Sequence, residues 1–147
     1  AFGGEEWSPL RAGDCGACGH APNHTWTKRV RFPRFAAAAG LSECNGITIV
    51  SPPGHGTVFE VEGDGRTVRL TARALSRKIG RRGLLSTFVA DVTQDGDRAV
   101  LHGHGFGHGV GLCQNGARGL AEAGYTTRQI LDFYYPGAEL LLLVPRP

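Results

Sequence analysis

The stretch that decides the fold runs from Leu101 to Ala117 and reads LHGHGFGHGVGLCQNGA. Glycine occupies every second position from Gly103 to Gly111. In an extended segment, the side chains between these glycines would lie on one side and leave the other side bare. A bare backbone can be approached closely by a ligand, a metal or another strand. The pattern predicts either such a site or a glycine-rich loop whose histidines are merely hydrogen-bonded.

The chain that follows predicts two short helices and a last strand. The first helix is expected to close over residues 120–124, and Thr126 or Thr127 is expected to cap the second. Apolar residues from Ile130 to Tyr135 lie at helical spacing, and the Pro136-Gly137 pair is expected to end that helix. The apolar run Leu140–Val144 predicts a buried strand.

The residues before this stretch predict short strands alternating with short helices. Two turn signals, Glu62–Gly65 and Gln94–Asp97, predict hairpins. The sequence therefore predicts an α+β fold with short antiparallel strands, three or four short helices and a glycine-rich groove loop, formed as a single domain over residues 1–147. Strands are expected over residues 25–32, 45–50, 57–61, 67–70, 84–92 and 98–102, and helices over 34–40 and 72–79.

One known family carries a closely similar motif. The run from Gly105 to Leu140, GFGHGVGLCQNGARGLAEAGYTTRQILDFYYPGAEL, resembles the signature of the stage II sporulation protein D family, also called the amidase-enhancer domain family. The family pattern is GxGxGHGVGxSQxGAxxxAxxGxxxxxILxxYYPGxxL. The segment Gly65–Val92 also resembles the family's succession of a strand, a helix and a strand. Two positions depart from the pattern, because Cys113 replaces a usual serine and Asn115 replaces a frequent aromatic residue.

The resemblance implies a role in the bacterial cell wall. Family members resemble lytic transglycosylases that cleave peptidoglycan glycan strands to 1,6-anhydro products, or they enhance cell-wall amidases. The implied function is thus a peptidoglycan-processing domain, and the alternative is a non-catalytic peptidoglycan-binding or amidase-activating module. The motif would border the glycan groove. The substrate-binding residues that it implies are Gly107, His108, Gly109, Gly111, Gln114 and Asn115.

No catalytic residue is assigned from the sequence. Lytic members carry their general acid, a glutamate, in a VxxExP-type motif on an early helix, and this sequence lacks that motif. We therefore expect the chain to be the C-terminal portion of such a domain without the early helix. The acid is either supplied upstream or lost. If it is lost, Glu5, Glu6 and Glu60 are the replacement acids to consider.

Cys15, Cys18, His20 and His24 form a separate cluster near the start of the chain. A Cys-x2-Cys pair on a glycine-containing turn is half of a typical zinc site, and nearby histidines can complete it. Some family members carry zinc in the corresponding region, so these four residues are the predicted zinc ligands. The alternatives are free thiols or disulfides, which would pair Cys15 with Cys18 and Cys44 with Cys113. For Cys113 itself a buried thiol is favoured.

The charge and composition of the chain do not indicate nucleic acid or a membrane span as a partner. The net charge of +3 is too diffuse to indicate nucleic-acid binding, and no apolar run is long enough to predict a membrane span. The expected partners are peptidoglycan glycan strands and other cell-wall hydrolases or amidases. The expected location is extracytoplasmic, in the periplasm, cell wall or intermembrane space of a bacterium. A basic helix end at Arg73, Arg77 and Lys78 is expected to be solvated or to hold acidic wall polymers.

Overall fold

The computed structural model describes residues 16–19, 21–22, 24–54, 56–80, 82–109 and 111–141. The chain divides into two compact units, one formed by residues 20–109 and the other by residues 1–19 and 110–147. The described residues form four helices and six antiparallel strands in two three-stranded sheets, which confirms the α+β prediction. In chain order the elements are β1 (Thr25–Arg31), α1 (Phe32–Ala39), β2 (Gly46–Ile49), β3 (Val58–Gly63), β4 (Arg66–Thr71), α2 (Ala72–Ile79), β5 (Val89–Asp95), β6 (Arg98–His104), α3 (Gln114–Glu122) and α4 (Thr127–Tyr134).

The first sheet has the strand order β1-β6-β5 and carries the start of the glycine-rich stretch. Strand β6 lies in the middle, where Gly103 pairs with Trp26 of β1 and with Val89 of β5. Trp26, Val89 and Leu101 are buried on one face of this sheet. The strand expected over residues 84–92 begins later, at Val89, and a bulge interrupts its pairing between Val89 and Asp91.

The second sheet has the order β2-β3-β4, and the predicted hairpin turn joins β3 to β4. Asp64 in this turn has a positive φ of 51°. Its carboxylate accepts hydrogen bonds from the backbone N–H of Ser42 at 2.7 Å and of Glu43 at 3.1 Å. The Ser42 N–H is the main cause that lowers the pKa of Asp64. The turn therefore fastens the chain that precedes β2.

Helices α1 and α2 complete the core of this unit. Helix α1 begins at Phe32, with Pro33 in its first turn, so Pro33 starts the helix and does not merely end the preceding strand. Helix α2 occupies the predicted residues, and its N-cap Thr71 accepts a hydrogen bond from the N–H of Ala74. The two helices and both sheets bury side chains that include Phe35, Phe59, Ile47, Leu75 and Leu84.

The second unit contains α3 and α4, joined by a short turn. Thr126 caps α4 in a capping box with Gln129, as the sequence predicted for this position. Leu120, Ile130 and Tyr134 form its buried cluster. A Cβ added at Gly119 would lie 2.2 Å from the carbonyl oxygen of Ala17, so only glycine permits this approach between α3 and the chain near residue 17.

The predicted last strand is wrong for the part of it that the structure describes. Leu140 and Leu141 are 57% and 77% exposed and belong to no strand. Residues 142–144 lie outside the described residues. Apolar character alone suggested a buried strand, but no described strand pairs with residues 138–141.

Candidate functional site

The glycine-rich stretch changes conformation where β6 ends. His102 and His104 share one face of the strand, as predicted for alternating residues. Beyond His104, Gly105 and Gly107 have φ values of 70° and 94°, and Gly109 has a φ of 70°. Residues other than glycine rarely adopt such values. The alternating glycines therefore form a loop over residues 105–109, and the extended arrangement that their spacing would allow ends at His104.

Backbone hydrogen bonds hold this loop on two sides. The N–H of Gly105 donates to the carbonyl of His24 at 2.9 Å. The N–H of Gly107 donates to Leu85 at 2.9 Å, and its carbonyl accepts from the N–H of Thr87 at 3.1 Å. The Thr87 hydroxyl donates to the carbonyl of His108 at 3.4 Å. The loop is thus tied to a neighbouring segment that is itself irregular.

A buried contact beneath the loop explains why residue 103 is a glycine. A Cβ at Gly103 would lie 2.2 Å from the Trp26 ring and 2.5 Å from the Phe88 carbonyl oxygen. The Trp26 indole N–H donates to the hydroxyl of Ser86 at 3.2 Å, and that hydroxyl donates to the carbonyl of His104 at 2.5 Å. Trp26 and Ser86 are both buried. This chain of contacts links the core to the residue at which the strand becomes the loop.

The side chains around the loop are largely exposed. His104 and His108 are exposed, and Phe106 is 52% exposed. The His104 ring meets Phe88 edge to face at 5.3 Å between ring centroids and meets His24 at 6.2 Å. This surface therefore offers imidazole and aromatic groups to solvent on a fixed backbone.

The second part of the motif begins α3 in the other unit. Cys113 is the N-cap, and its sulfur accepts a hydrogen bond from the N–H of Gly116 at 3.4 Å. Its side chain is exposed, so the prediction of a buried thiol is wrong. The physical reason is that a capping side chain lies at the helix end, where serine, the usual residue at this position of the motif, would also cap.

Gln114 and Asn115 occupy the first two positions of α3, and both are exposed. Just before them, the N–H of Leu112 donates to the hydroxyl of Tyr135 at 3.1 Å. Gly111 has a φ of 76°, and a Cβ there would lie 3.3 Å from the same hydroxyl. Tyr135 thus fixes the turn that leads into the exposed amides.

The predicted substrate residues fall into two groups. Gly107, His108 and Gly109 belong to the loop of the first unit, whereas Gly111, Gln114 and Asn115 belong to the second unit. Sequence reasoning missed the contribution of Ser86 and Thr87, which hold the loop. They lie in residues 84–92, which were interpreted as a strand, and the resemblance of the segment Gly65–Val92 to the family was the available signal.

The predicted zinc ligands are only partly described. Cys15 and His20 lie outside the described residues, and Cys18 and His24 belong to different units. Within the described ranges, no group of three or more His, Cys, Asp or Glu side chains could hold a metal ion. Zinc at this cluster stays a prediction.

The alternative disulfide between Cys44 and Cys113 is not formed, because both residues are free thiols. Cys44 is buried, and its burial raises the pKa of the thiol. Cys113 is exposed at the helix end. The two thiols therefore differ strongly in access to solvent.

Two carboxylates are held by arginine. Glu60 is 2.8 Å from Arg69 across the β3–β4 pair, and Glu122 is 2.7 Å from Arg118 along α3. A carboxylate engaged in this way serves local structure, and neither residue lies in the glycine-rich loop. Glu5 and Glu6 lie outside the described residues.

Comparison with known proteins supports the resemblance seen in the motif. The chain is 40% identical to the amidase enhancer of Bacillus subtilis (strain 168) over 74 residues, which are 50% of this chain and 10% of that protein. It is 29% identical to the stage II sporulation protein D of the same strain over 124 residues, 82% of this chain and 34% of that protein. The stage II sporulation protein D of Bacillus amyloliquefaciens gives the same identity and coverage.

These matches confirm the predicted resemblance to stage II sporulation protein D and the amidase enhancer. The matched region spans between a tenth and about a third of the length of these relatives. No protein-family model matches the chain. Among the described residues, no helix has the length and apolar character needed to cross a bilayer.

Proposed function

We propose that this chain binds peptidoglycan glycan strands through its glycine-rich motif and thereby supports cell-wall processing outside the cytoplasm of a bacterium. The observation that carries the proposal is the loop over residues 105–109. Hydrogen bonds to His24, Leu85 and Thr87 fix its backbone, while the loop keeps its own polar side chain, His108, exposed.

The chemistry of this surface suits a saccharide. Sugar hydroxyls need neutral donors and acceptors, and imidazole and carboxamide groups supply both. Glycines without side chains allow a pyranose ring to come close to the backbone. His108 lies on the loop, and Gln114 and Asn115 lie on the first turn of α3. We therefore assign all three to glycan contact, together with Gly107, Gly109 and Gly111.

These residues best support a binding role, in which the chain holds glycan for another cell-wall enzyme. The name of the relative "amidase enhancer" agrees with such a role for that protein. The exposed polar groups of the motif can hold a strand, and none of them is a carboxylic acid. In this form of the proposal, the chain presents glycan to a cell-wall amidase and lacks its own general acid.

Lytic transglycosylation is the second candidate, favoured by the likeness to stage II sporulation protein D over most of the chain. In that reaction one carboxylic acid protonates the glycosidic oxygen. The hydroxyl of the sugar at C6 then attacks the anomeric carbon and gives its proton to the same carboxylate. The product is a 1,6-anhydro sugar. Within the described residues, Glu60 and Glu122 are bound by Arg69 and Arg118, so either would have to leave its arginine to act as this acid.

Sedimentation with purified peptidoglycan tests the binding. We expect His108→Ala and the double variant Gln114→Ala/Asn115→Ala each to weaken retention about three- to tenfold, because each loses hydrogen bonds worth about 0.5–1.5 kcal/mol. Thr93→Ala on β5 and Thr127→Ala on α4 are matched controls with exposed side chains outside the motif. Equal retention of motif and control variants would disprove the assignment.

Muropeptide analysis separates the two forms of processing. The binding role predicts no new anhydro products after incubation of peptidoglycan with the chain alone, and faster release of stem peptides when a cell-wall amidase is added. Anhydro products from the chain alone would instead establish the lytic reaction and would require a catalytic carboxyl within these residues.

A further inference from the structure

The positive charge of the chain is concentrated on one pair of helices. Helices α1 and α2 and the turn after α2 carry Arg34, Arg73, Arg77, Lys78 and Arg82, and all five are exposed. No acidic residue occurs from Gly65 to Ala90, nor within α1. The chain has 16 Lys and Arg against 13 Asp and Glu. Without these five cations the remainder would have more acidic than basic residues, so the helical pair accounts for the net positive charge.

Two of the cations donate a hydrogen bond from one helix to the other. The Arg34 guanidinium of α1 donates to the carbonyl of Ile79 at the end of α2. The Lys78 ammonium of α2 donates to the carbonyl of Ala38 near the end of α1. Each helix therefore has its last carbonyls capped by a cation of the other, which is favourable for the helix dipole. This exchange fixes Arg34 and Lys78 where the two helices meet.

Most of the described cations elsewhere in the chain lie in ion pairs. Arg29 lies 3.6 Å from Asp95, and Arg31 lies 2.9 Å from Asp97. Arg69, Arg118 and Arg128 are paired in the same way with Glu60, Glu122 and Asp132. In the described part of the chain, no ion pair includes Arg34, Arg77, Lys78 or Arg82. In the described residues, cations without an ion pair are thus concentrated on the helical pair, and Lys28 and Arg66 are the others.

From this arrangement we infer that the surface formed by α1, α2 and Arg82 binds a phosphate-bearing anionic polymer of the cell wall. Guanidinium groups bind phosphate through paired hydrogen bonds, and several fixed cations attract a polyanion more strongly than an isolated ion. The choice of a wall polymer rests on the proposed function.

The neighbouring side chains argue against two other polyanions. The large exposed apolar side chains of the described residues are Val50, Phe106, Tyr125, Phe133, Leu140 and Leu141, and none of them belongs to α1 or α2. Single-stranded nucleic acid is usually held by aromatic residues interleaved with the cations. An anionic membrane surface is usually held by an apolar helix face beside the cations. A polar polymer without nucleobases or acyl chains requires neither aromatic residues nor an apolar helix face beside the cations.

The test compares two double variants that remove the same charge. Arg77→Gln/Arg82→Gln removes two unmatched cations and leaves the interhelix contacts of Arg34 and Lys78 in place. Arg29→Gln/Arg31→Gln removes two matched cations from β1. Thermal unfolding first establishes that both variants are folded. Retention is then measured on walls that keep their phosphate-linked polymers and on walls from which these polymers have been extracted.

On complete walls we expect the first double variant to bind about tenfold more weakly than the parent, and the β1 variant to bind about as well as the parent. The dependence of log affinity on log salt should be shallower by about one to two for the first variant, since two phosphate contacts are lost. On extracted walls the three proteins should bind alike.

Three results would overturn the inference: equal losses in the two variants, equal binding of the parent to complete and extracted walls, and tighter binding of the parent to single-stranded DNA or anionic vesicles than to complete walls. Extracted walls also separate this inference from the proposed function. Loss of glycan binding by the parent on extracted walls would contradict the proposed function, whereas the comparison of the double variants tests the basic surface alone.

Discussion

Gly103→Ala is the substitution that most sharply tests the link between the core and the glycine-rich loop. The added Cβ would lie 2.2 Å from the Trp26 ring and 2.5 Å from the Phe88 carbonyl oxygen. Ordinary contact requires roughly 3.5 Å or more, so the indole or the backbone near Phe88 must move by about 1 Å. Both lie beneath the point at which β6 becomes the loop.

The cost has two parts. Overpacking of a close-packed site costs about 1–3 kcal/mol. Displacement of the indole also breaks its hydrogen bond to Ser86, which contributes about 0.5–1.5 kcal/mol. We therefore expect Gly103→Ala to lower the free energy of unfolding by about 3 kcal/mol. For a chain of this size, that corresponds to a fall in Tm of about 6–12 °C.

Urea and thermal unfolding followed by circular dichroism measure this effect. Gly56→Ala is the matched control, because no atom lies within 4 Å of its added Cβ and its φ is not in the left-handed region. We expect that control to change stability by less than about 0.5 kcal/mol. A Gly103→Ala variant as stable as Gly56→Ala would refute the close packing of Trp26 on β6 and with it the physical basis of the loop anchor.

Three further predictions follow from single side chains. The lowered pKa of Asp64 means that its carboxylate stabilises the fold at pH values above the unfolded-state pKa of about 3.9. This stability is lost as the pH falls through the native pKa. Asp64→Asn should therefore lower Tm at pH 7 and have a smaller effect once the pH falls below the native pKa of Asp64, as measured by thermal unfolding across pH. An equal effect at neutral and at acid pH would contradict this cause. Cys113 should react with a thiol reagent in the native protein much faster than the buried Cys44, and Cys113→Ser should remove one thiol per chain from the fast phase. An unchanged fast phase in this variant would contradict the exposure of Cys113. If the predicted zinc site forms, metal analysis should find about one zinc ion per chain, and Cys18→Ser should lower the content severalfold; a chain without zinc after purification in zinc-containing buffer would contradict that prediction.

Local signals predicted much of the fold correctly. Helix α2 has the predicted bounds, residues 72–79, and the structure shows local signals at both ends, since Thr71 caps its start and Gly80 follows its end. The β3–β4 hairpin followed from the Asp64-Gly65 turn. In each case the signal and the structure that it determines lie within a few residues of each other, so tertiary contacts were not needed to interpret it.

The errors occurred where distant contacts decide the structure. Residues 84–88 are apolar enough for a strand, yet Ser86 instead bonds to Trp26 and His104, which are far away in sequence. Leu140 and Leu141 have the composition of a strand, but a strand needs a pairing partner. Cys113 was expected to be buried because its residue type usually is, whereas its position at a helix start decides its exposure.

The candidate site was predicted in part. The motif singled out His108, Gln114 and Asn115, and the structure leaves all three exposed. The anchoring role of Thr87 could not be predicted from spacing, because it depends on backbone groups of the loop about twenty residues away. The sequence thus predicted which polar side chains are exposed, but it did not predict the hydrogen bonds that hold the loop.

The most direct test of glycan binding is a titration of the isotopically labelled chain with peptide-free glycan-strand fragments, followed by the backbone amide resonances. The account predicts that the largest shifts fall within residues 105–109 and 111–116, and that resonances of α1 and α2 change little. Shifts confined to other elements, or no shifts at millimolar glycan, would contradict the claim that the glycine-rich motif binds the glycan strand.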